Sequence, residues 1–266
     1  MTNILQISDT HIVAEGELVS GRLETARALE KLVKYLLKVH YEIGGVDAVI
    51  VSGDISEDGS PESYHRFKEI ISGLEAPLYV IPGNHDARKP MRGAFASGGY
   101  LPPDGKLNWH QVIGNIHLIG LDTLIEGSGG GELDAATLAF LDDALAKIDG
   151  APVLLALHHP PFETGIQFMD KIGINEGAED FGEILSAYTG EIRVICGHIH
   201  SIIATSCGGK MALSAPSPCS SFAFNIQQTA PIGFMDAGDG CFLHRWANGF
   251  HSVRLCPAQG NGPFPF

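Results

Sequence analysis

Short apolar runs and longer amphipathic stretches alternate along most of the chain. The runs that predict β-strands are Ile4–Ile7, Val46–Val51, Pro77–Ile81, Trp109–Ile113, Ile116–Leu121, Val153–Leu157 and Ile192–Cys196. Apolar residues spaced three and four apart predict helices over Arg22–Val39, after Ser60-Pro61, over Asp134–Ile148 and over Glu179–Tyr188. Strands that alternate with helices are typical of an α/β fold.

The pattern changes after Ile202. Short strand-like runs follow one another without helices between them, at Lys210–Leu213, Gly240–Trp246 and Phe250–Leu255. We therefore expect an antiparallel portion that closes the fold, and a Gly/Pro-rich tail over residues 259–266. Residues 1–215 are predicted to form a catalytic core. Residues 216–266 are predicted to complete the same domain and could supply a contact between copies of the chain.

Composition narrows the class of protein. The chain has 266 residues with 44% apolar content, which is enough to bury a core and excludes a disordered chain. Its 17 Lys and Arg against 31 Asp and Glu give a net charge of -14, which would repel a nucleic-acid polymer. Five cysteines without a C-x-x-C pair favour free thiols. With no leader pattern and no apolar run of the ~18 residues that a membrane span needs, we expect a soluble cytoplasmic protein with no membrane partner.

Polar residues that can bind metal follow one predicted strand after another. They are Ser8-Asp9-Thr10-His11, Gly53-Asp54, Gly83-Asn84-His85-Asp86, His158-His159-Pro160 and Gly197-His198-Ile199-His200. The carboxyl ends of strands in an α/β sheet open onto one crevice, so these groups should converge. Oxygen and imidazole ligands without thiolate suit Mn, Fe or Zn. Seven such ligands are too many for one tetrahedral ion and fit two ions ~3.5–4 Å apart.

In order, the motifs D-x-H, G-D, G-N-H-D, H-x-P and G-H-x-H resemble those of the calcineurin-like metallophosphoesterases, and the match spans residues 4–200. The resemblance implies a four-layer α-β-β-α sandwich of two mixed sheets with two metals at the strand ends. It implies that the first metal is held by Asp9, His11 and His200, and the second by Asn84, His158 and His198, with Asp54 bridging. It also implies that His85 stabilises the transition state or protonates the leaving alkoxide.

Within that superfamily the chain looks most like the bacterial class III cyclic-nucleotide and glycerophosphodiester phosphodiesterases, through His158-His159-Pro160-Pro161 followed by Met169-Asp170. The Ser/Thr protein phosphatases carry G-D-x-x-D-R-G, whereas Gly53–Gly59 of this chain lacks the arginine. A diester has one negative charge and a monoester close to two, so fewer cations favour the diester. Arg88, Lys89 and Arg92 lie close downstream and could still reach the site.

These observations predict an enzyme that hydrolyses a small phosphodiester, a 3′,5′-cyclic nucleotide or a glycerophosphodiester, by attack of a hydroxide that bridges two metals. The cofactors are expected to be two divalent or mixed-valence Mn, Fe or Zn ions. The alternatives are a phosphomonoesterase of the same superfamily and a non-catalytic metal-binding scaffold.

Several residues near the motifs keep more than one interpretation. We expect His159 to support the ligands or to fill the core, and Asp86 to orient His85 or its loop. The segment Phe162–Ile174 could be a lid over the organic part of the substrate, a dimer contact or core filling. The same three interpretations hold for Phe222, Phe224 and Asn225. A homo-oligomer is expected.

Overall fold

The computed structural model describes residues 1–227 and 233–257, so the predicted tail lies outside the described residues. Within these ranges the strands are β1 Thr2–Ile7, β2 Ala48–Ser52, β3 Leu78–Ile81, β4 Trp109–Ile113, β5 Ile116–Gly120, β6 Gly131–Glu132, β7 Val153–Ala156, β8 Ile174–Glu176, β9 Ile192–Cys196, β10 Ala204–Cys207, β11 Lys210–Ser214, β12 Ser221–Phe222, β13 Phe234–Met235, β14 Cys241–Trp246 and β15 Phe250–Leu255. The α-helices are α1 Thr25–Lys38, α2 Pro61–Ile71, α3 Arg88–Ala94, α4 Ala135–Ile148, α5 Gln167–Lys171 and α6 Ala178–Ala187.

Two mixed sheets form the frame of the molecule. The first has the strand order β15-β14-β1-β2-β3, and the second has the order β10-β11-β9-β7-β5-β4. β1, β2 and β3 are parallel, while β14 runs antiparallel to β1 and to β15. In the second sheet β5, β7, β9 and β11 are parallel, and β4 and β10 are antiparallel edge strands.

Three apolar clusters show how the layers stack. Helices α1 and α2 pack on the first sheet through residues such as Leu29 and Phe67, which join Leu5 in one cluster. Helices α4 and α6 cover the second sheet through a separate cluster. A third cluster lies between the sheets and includes Ile4 of β1 and Leu118 of β5. Because alternate residues of β1 face the helices and the second sheet, the four-layer α-β-β-α sandwich predicted from the sequence is confirmed.

Local signals account for the helix starts. Ser60 accepts a hydrogen bond from the backbone of Ser63 and precedes Pro61, as expected for the first turn of α2. Asp134 caps α4 in the same way. Helix α1 begins at Thr25, three residues later than predicted, because Leu23 packs with another small apolar cluster instead.

The strands after Ile202 differ from the single antiparallel sheet that their pattern suggests. β11 lies parallel to β9 and extends the second sheet, whereas β14 and β15 extend the first sheet beside β1. Both sheets have a free edge at these positions, and apolar residues on β11 and β14 are buried by joining them. The C-terminal strands therefore complete both sheets of the sandwich.

A buried chain of hydrogen bonds runs from β14 toward the carboxyl ends of the first sheet. His244 Nε2 lies 2.9 Å from Gln6 Oε1, and its Nδ1 lies 2.8 Å from the hydroxyl of Ser252. Gln6 donates to the Ser52 hydroxyl at 2.8 Å, and Ser52 donates to Ser8 at 2.8 Å. Every bond in this chain can form with a neutral His244.

No helix within residues 1–227 and 233–257 combines the length and apolar content needed to cross a membrane. All five cysteines are free thiols, and four of them are buried.

Candidate metal centre

The loops that follow β1, β2, β7 and β9 are held together by backbone hydrogen bonds. The amide of Asp9 donates to Gly53 at 3.1 Å, and the amide of His11 donates to Asp54 at 2.9 Å. The amide of Gly197 donates to His158 at 3.0 Å and joins the two loops of the second sheet. The loops of both sheets therefore meet at one end of the sandwich, and all seven candidate ligands lie there.

The candidate ligands form two groups of three. In the first triad, Asp9, His11 and His200, the ligand atoms lie within 4.8 Å of one another, and the Nε2 atoms of His11 and His200 are 3.1 Å apart. In the second triad, Asn84 Oδ1 lies 3.1 Å from His158 Nε2 and 2.9 Å from His198 Nδ1.

Asp54 lies between the two triads. Its Oδ2 is 3.6 Å from His11 Nε2 and 3.4 Å from His158 Nε2. Its other oxygen accepts a hydrogen bond from the His85 amide at 2.9 Å. This carboxylate is thus placed where a ligand shared by two ions would stand.

Hydrogen bonds at the outer ring nitrogens orient three of the imidazoles. His11 Nδ1 is 2.6 Å from Glu57 Oε2, and His200 Nδ1 is 2.9 Å from the Ser220 hydroxyl. His158 Nδ1 is 2.9 Å from the carbonyl of Ser52. Each bond leaves Nε2 directed at the centre, which is the arrangement that metal-binding histidines require.

Five of the seven candidate ligands adopt a left-handed backbone conformation. The φ angles are 54° at Asp9, 44° at His11, 48° at Asp54, 70° at His198 and 50° at His200. Few residues other than glycine adopt such angles, although Asp and His are among those that tolerate them best, and strained backbone clusters at functional sites. The sharp reversal directly after each strand directs these side chains into the crevice.

Glycines before the ligands allow the loops to approach closely. A Cβ atom at Gly83 would lie 2.2 Å from Asp54 Oδ1 and 2.4 Å from the Asp54 amide nitrogen. A Cβ atom at Gly53, where φ is +94°, would lie 2.3 Å from His158 Nδ1. Both the G-D and the G-N-H-D motif therefore need glycine for space, and Gly53 also needs it for its conformation.

The donor set fits two transition metal ions. Asp9 Oδ2, an oxygen of the first triad, is one of four buried side-chain polar atoms with no hydrogen-bond partner within the described part of the chain, and such atoms are rare. Burial lowers the pKa of His198 to about 3 and keeps the imidazole neutral, as metal ligation requires. Burial alone would lower the pKa of His11, but the hydrogen bond to Glu57 and the nearby carboxylates outweigh burial and raise the pKa to about 9. The carboxylates thus draw positive charge into the site.

His85 stands at the mouth of the site. Its side chain is 37% exposed, and its Nδ1 lies 3.1 Å from the Glu57 carbonyl and 3.4 Å from Glu57 Oε2. The rings of His85 and His11 meet edge to face at 4.8 Å. Glu57 therefore contacts both a candidate ligand and His85, a role that the sequence analysis missed. An acidic residue three positions after Asp54 was the available signal.

Asp86 holds the loops rather than the His85 ring. Its carboxylate accepts hydrogen bonds from the amides of Ile55 at 3.2 Å, Ser56 at 3.1 Å and Gly83 at 2.9 Å, and from the Tyr64 hydroxyl at 3.0 Å. Burial and the neighbouring charge of Asp54 raise its pKa to about 6. The carboxylate therefore ties the loop that carries Asp54 to the loop that carries the G-N-H-D motif.

His159 packs behind the second triad. Its ring centroid lies 4.8 Å from that of His198 and 4.9 Å from that of His158, and its Nδ1 is 2.8 Å from the Thr123 hydroxyl. The ring is fully buried, and burial lowers its pKa well below the usual value. His159 is thus a neutral side chain that supports both imidazoles, in agreement with the expectation from the sequence.

A cavity of about 210 Å³ opens over the triads. Its wall beyond the candidate ligands is mostly apolar and includes Val19, Leu23, Phe168, Met169, Ile172, Phe222 and Phe234. The described lining residues include no lysine and no arginine. Three residues of the segment Phe162–Ile174 line the cavity, while its Ile166 is buried beneath them against Ile199.

The basic residues downstream of the G-N-H-D motif are engaged elsewhere. Arg88 forms a two-point ion pair with Asp122 at 2.7 and 2.9 Å. Arg92 donates to the carbonyls of Pro102 at 2.8 Å and Gly105 at 2.6 Å. Lys89 is exposed and does not line the cavity. In this structure none of the three side chains therefore reaches the place where a phosphate would bind.

Comparison with known proteins agrees with the arrangement of the site. The model of the calcineurin-like phosphoesterase family matches residues 2–201. A probable glycerophosphodiester phosphodiesterase of Arcobacter nitrofigilis is 31% identical over 99% of this chain and 96% of its own length. A 3′,5′-cyclic adenosine monophosphate phosphodiesterase of Pseudomonas aeruginosa is 32% identical over 86% of this chain and 82% of its own length. Among solved structures, a dimetal phosphatase from Danio rerio superposes with a TM-score of 0.62 at 14% identity over 91% of this chain and 92% of the other. The chain belongs to the calcineurin-like phosphoesterase family.

Proposed function

We propose that this protein is a metal-dependent phosphodiesterase that hydrolyses small phosphodiesters. The observation that carries the proposal is the pair of triads that share Asp54 at the base of a cavity. The names of the relatives, which include cyclic-nucleotide and glycerophosphodiester phosphodiesterases, support the same reaction.

In this proposal Asp9, His11 and His200 would hold one ion, Asn84, His158 and His198 would hold the other, and Asp54 would be shared by both. Two Mn, Fe or Zn ions would supply Lewis-acid charge for the phosphate oxygens and would lower the pKa of water in the site. Glu57 keeps the His11 ring in position through the 2.6 Å bond to Nδ1. The Glu57 carbonyl engages Nδ1 of His85, which leaves Nε2 free to deliver a proton to the leaving alkoxide.

The charge of the cavity favours a diester over a monoester. A monoester brings nearly two negative charges, and the described lining residues include no lysine or arginine to balance the second. Glu57, which also lines the cavity, would oppose a second negative charge. A monoesterase stays the second candidate because the two triads would serve either reaction.

The test is metal-dependent hydrolysis of bis(p-nitrophenyl) phosphate by purified protein. Treatment with a chelator should abolish the activity, and Mn or Fe should restore it, with elemental analysis giving close to two ions per chain. The rate should exceed that for p-nitrophenyl phosphate. Equal activity with and without metal would contradict the mechanism, a faster monoester would favour the second candidate, and inactivity on both esters would favour a non-catalytic scaffold.

We further propose a cytoplasmic location and self-association. The five free thiols suit a reducing compartment. Phe224, Ile226 and Met235 are 65%, 57% and 58% exposed and lie close together in sequence around β12 and β13, where a second copy could cover them. Light scattering after size-exclusion chromatography measures the number of copies, and a monomer at micromolar concentration would contradict the association.

A further inference from the structure

The short ribbon of β12 and β13 adds two aromatic side chains to the cavity. The strands are antiparallel, and Phe222 is directly opposite Phe234 in the register. Directly paired residues project to the same face of a ribbon, so the two side chains lie on one face. Both line the cavity over the triads.

The ribbon joins two separate apolar clusters. Phe222 packs against the cluster of Ile166, Met169 and Ile199. Phe234 packs against the cluster of Val13, Val19 and Leu23. Together these side chains form what we call the apolar wall, a surface that extends across the cavity from the α5 segment to the loop before α1.

The apolar wall begins at the first triad. The Phe222 ring lies parallel to the ring of His200, with centroids 4.4 Å apart and an angle of 13° between the planes. A phosphate held at the triads would therefore have its ester group directed along an aromatic face. The position of the wall relative to the ligands makes it a surface for the organic part of the substrate.

Two of the three serine and threonine hydroxyl groups on the described lining of the cavity are already engaged, and the third belongs to the exposed Ser20. The Thr25 hydroxyl donates to the His11 carbonyl at 2.8 Å, and the Ser220 hydroxyl is 2.9 Å from His200 Nδ1. A glycerol group placed against the wall would lose hydrogen bonds to water that these groups cannot replace, which is costly. A nucleobase can stack by its face on the wall while its polar edge stays open to water, and a cavity of ~150 Å³ lined by apolar side chains already accepts a benzene ring.

We propose that the apolar wall is a subsite for a planar, uncharged aromatic group of the substrate, such as the nucleobase of a nucleotide diester. Phe234 is the residue that selects this group. This inference rests on the proposed phosphodiesterase function and narrows its substrate class. Phe234 is the residue to test because Phe222 also stacks on His200, so its removal would disturb a candidate metal ligand.

The experiment compares kcat and KM for 3′,5′-cyclic AMP and glycerophosphoglycerol, using Mn-loaded wild type and Phe234→Ala. Stacking on an aromatic side chain contributes enough per base that its loss should lower kcat/KM for cyclic AMP roughly 10-fold, mainly through KM. The value for glycerophosphoglycerol should change less than about twofold, since its uncharged glycerol group has neither a ring to stack on the aromatic face nor a cation to bind it. The ratio of variant to wild type is taken for each substrate separately, so the different reactivity of the two leaving groups cancels.

Two further variants make the comparison specific. Phe224→Ala removes an exposed ring close to the same ribbon that does not line the cavity, and it should leave both substrates unchanged. Phe234→Leu keeps an apolar side chain against Leu23 but has no ring face, so it should reproduce the loss for cyclic AMP even if the alanine variant folds poorly. Thermal unfolding of each variant checks the fold.

The outcomes separate the two proposals. If the Mn-loaded protein hydrolyses neither substrate nor bis(p-nitrophenyl) phosphate, the phosphodiesterase function itself is wrong. If it hydrolyses both natural diesters and Phe234→Leu weakens them equally, or weakens only glycerophosphoglycerol hydrolysis, the function stands and the aromatic subsite is overturned.

Discussion

Replacing Asp86 by alanine is expected to damage the metal centre without touching a candidate ligand. The carboxylate accepts from three backbone amides, those of Ile55, Ser56 and Gly83, and from the Tyr64 hydroxyl. All four donors are fully buried or close to it. In Asp86→Ala they lose their common acceptor.

The size of the effect follows from those four bonds. A buried donor left without a partner costs ~1–3 kcal/mol, and water that enters the space of the carboxylate recovers part of it. We therefore expect a loss of ~4 kcal/mol in the free energy of unfolding, a large share of the ~5–15 kcal/mol typical of a folded domain. Because the amides belong to the loops that carry Asp54 and Asn84, metal affinity should also fall ~10–100-fold, as for other groups that support metal ligands.

Tyr64→Phe is the matched control. It removes one of the four donors to Asp86 and the partner of the Ala87 amide, and it leaves the three loop amides bonded. Its cost should stay near ~1–2 kcal/mol, with metal content unchanged. Urea unfolding and elemental analysis of both variants measure these quantities. An Asp86→Ala loss no larger than that of Tyr64→Phe, or full retention of metal, would refute the assignment of this carboxylate as the tie between the loops.

Three other perturbations test separate parts of the molecule. His85→Ala should lower kcat for bis(p-nitrophenyl) phosphate by ~10²–10⁴, the usual size of a proton-transfer contribution, with metal content retained; a loss of metal instead would assign it to ligation or folding. Gly83→Ala should expel metal, because its Cβ would lie 2.2 Å from Asp54 Oδ1, whereas Gly93→Ala, with nothing within 4 Å, should be neutral in the same elemental analysis. Burial lowers the pKa of His244 to about 3, so the unfolded chain binds a proton that the folded chain refuses, and stability falls as the pH drops from about 6.5 toward 3. His244→Gln should flatten that decline by ~2–3 kcal/mol at pH 4.5 in urea titrations, and an unchanged slope would contradict it.

Much of the fold follows from local patterns. The parallel strands and the long helices have strong apolar periodicity, so their positions are predictable to within a few residues. Helix α3 contains Pro90 and α5 has only five residues, and both are too short for a periodic pattern to emerge. The pairing of β11 with β9 depends on which sheet edge is free, a property of the assembled fold that no window of sequence contains.

The candidate ligands could be predicted from the sequence, whereas the residues that hold them in position could not. Short motifs at strand ends identify the candidate ligands, because an α/β sheet brings strand ends together. The bonds from Glu57 to His11 and from Asp86 to the amides of Ile55 and Ser56 join segments far apart in sequence, so an acidic side chain in the sequence does not reveal them. For Arg88 the sequence suggests a contact that the structure lacks. Its position close after the G-N-H-D motif suggests that it could reach the phosphate, but its ion pair with Asp122 holds the side chain elsewhere.

The left-handed backbone at five candidate ligands sets stability against activity. Such a conformation costs roughly 1–2 kcal/mol at a residue with a Cβ atom, and glycine would adopt it freely. Glycine at any one of these positions would remove a candidate ligand and relieve the backbone. The free energy of unfolding would recover part of the conformational cost of the site. At these five positions, substitutions to glycine would therefore relieve the backbone and inactivate the protein. The strained backbone persists because the reaction needs the side chains.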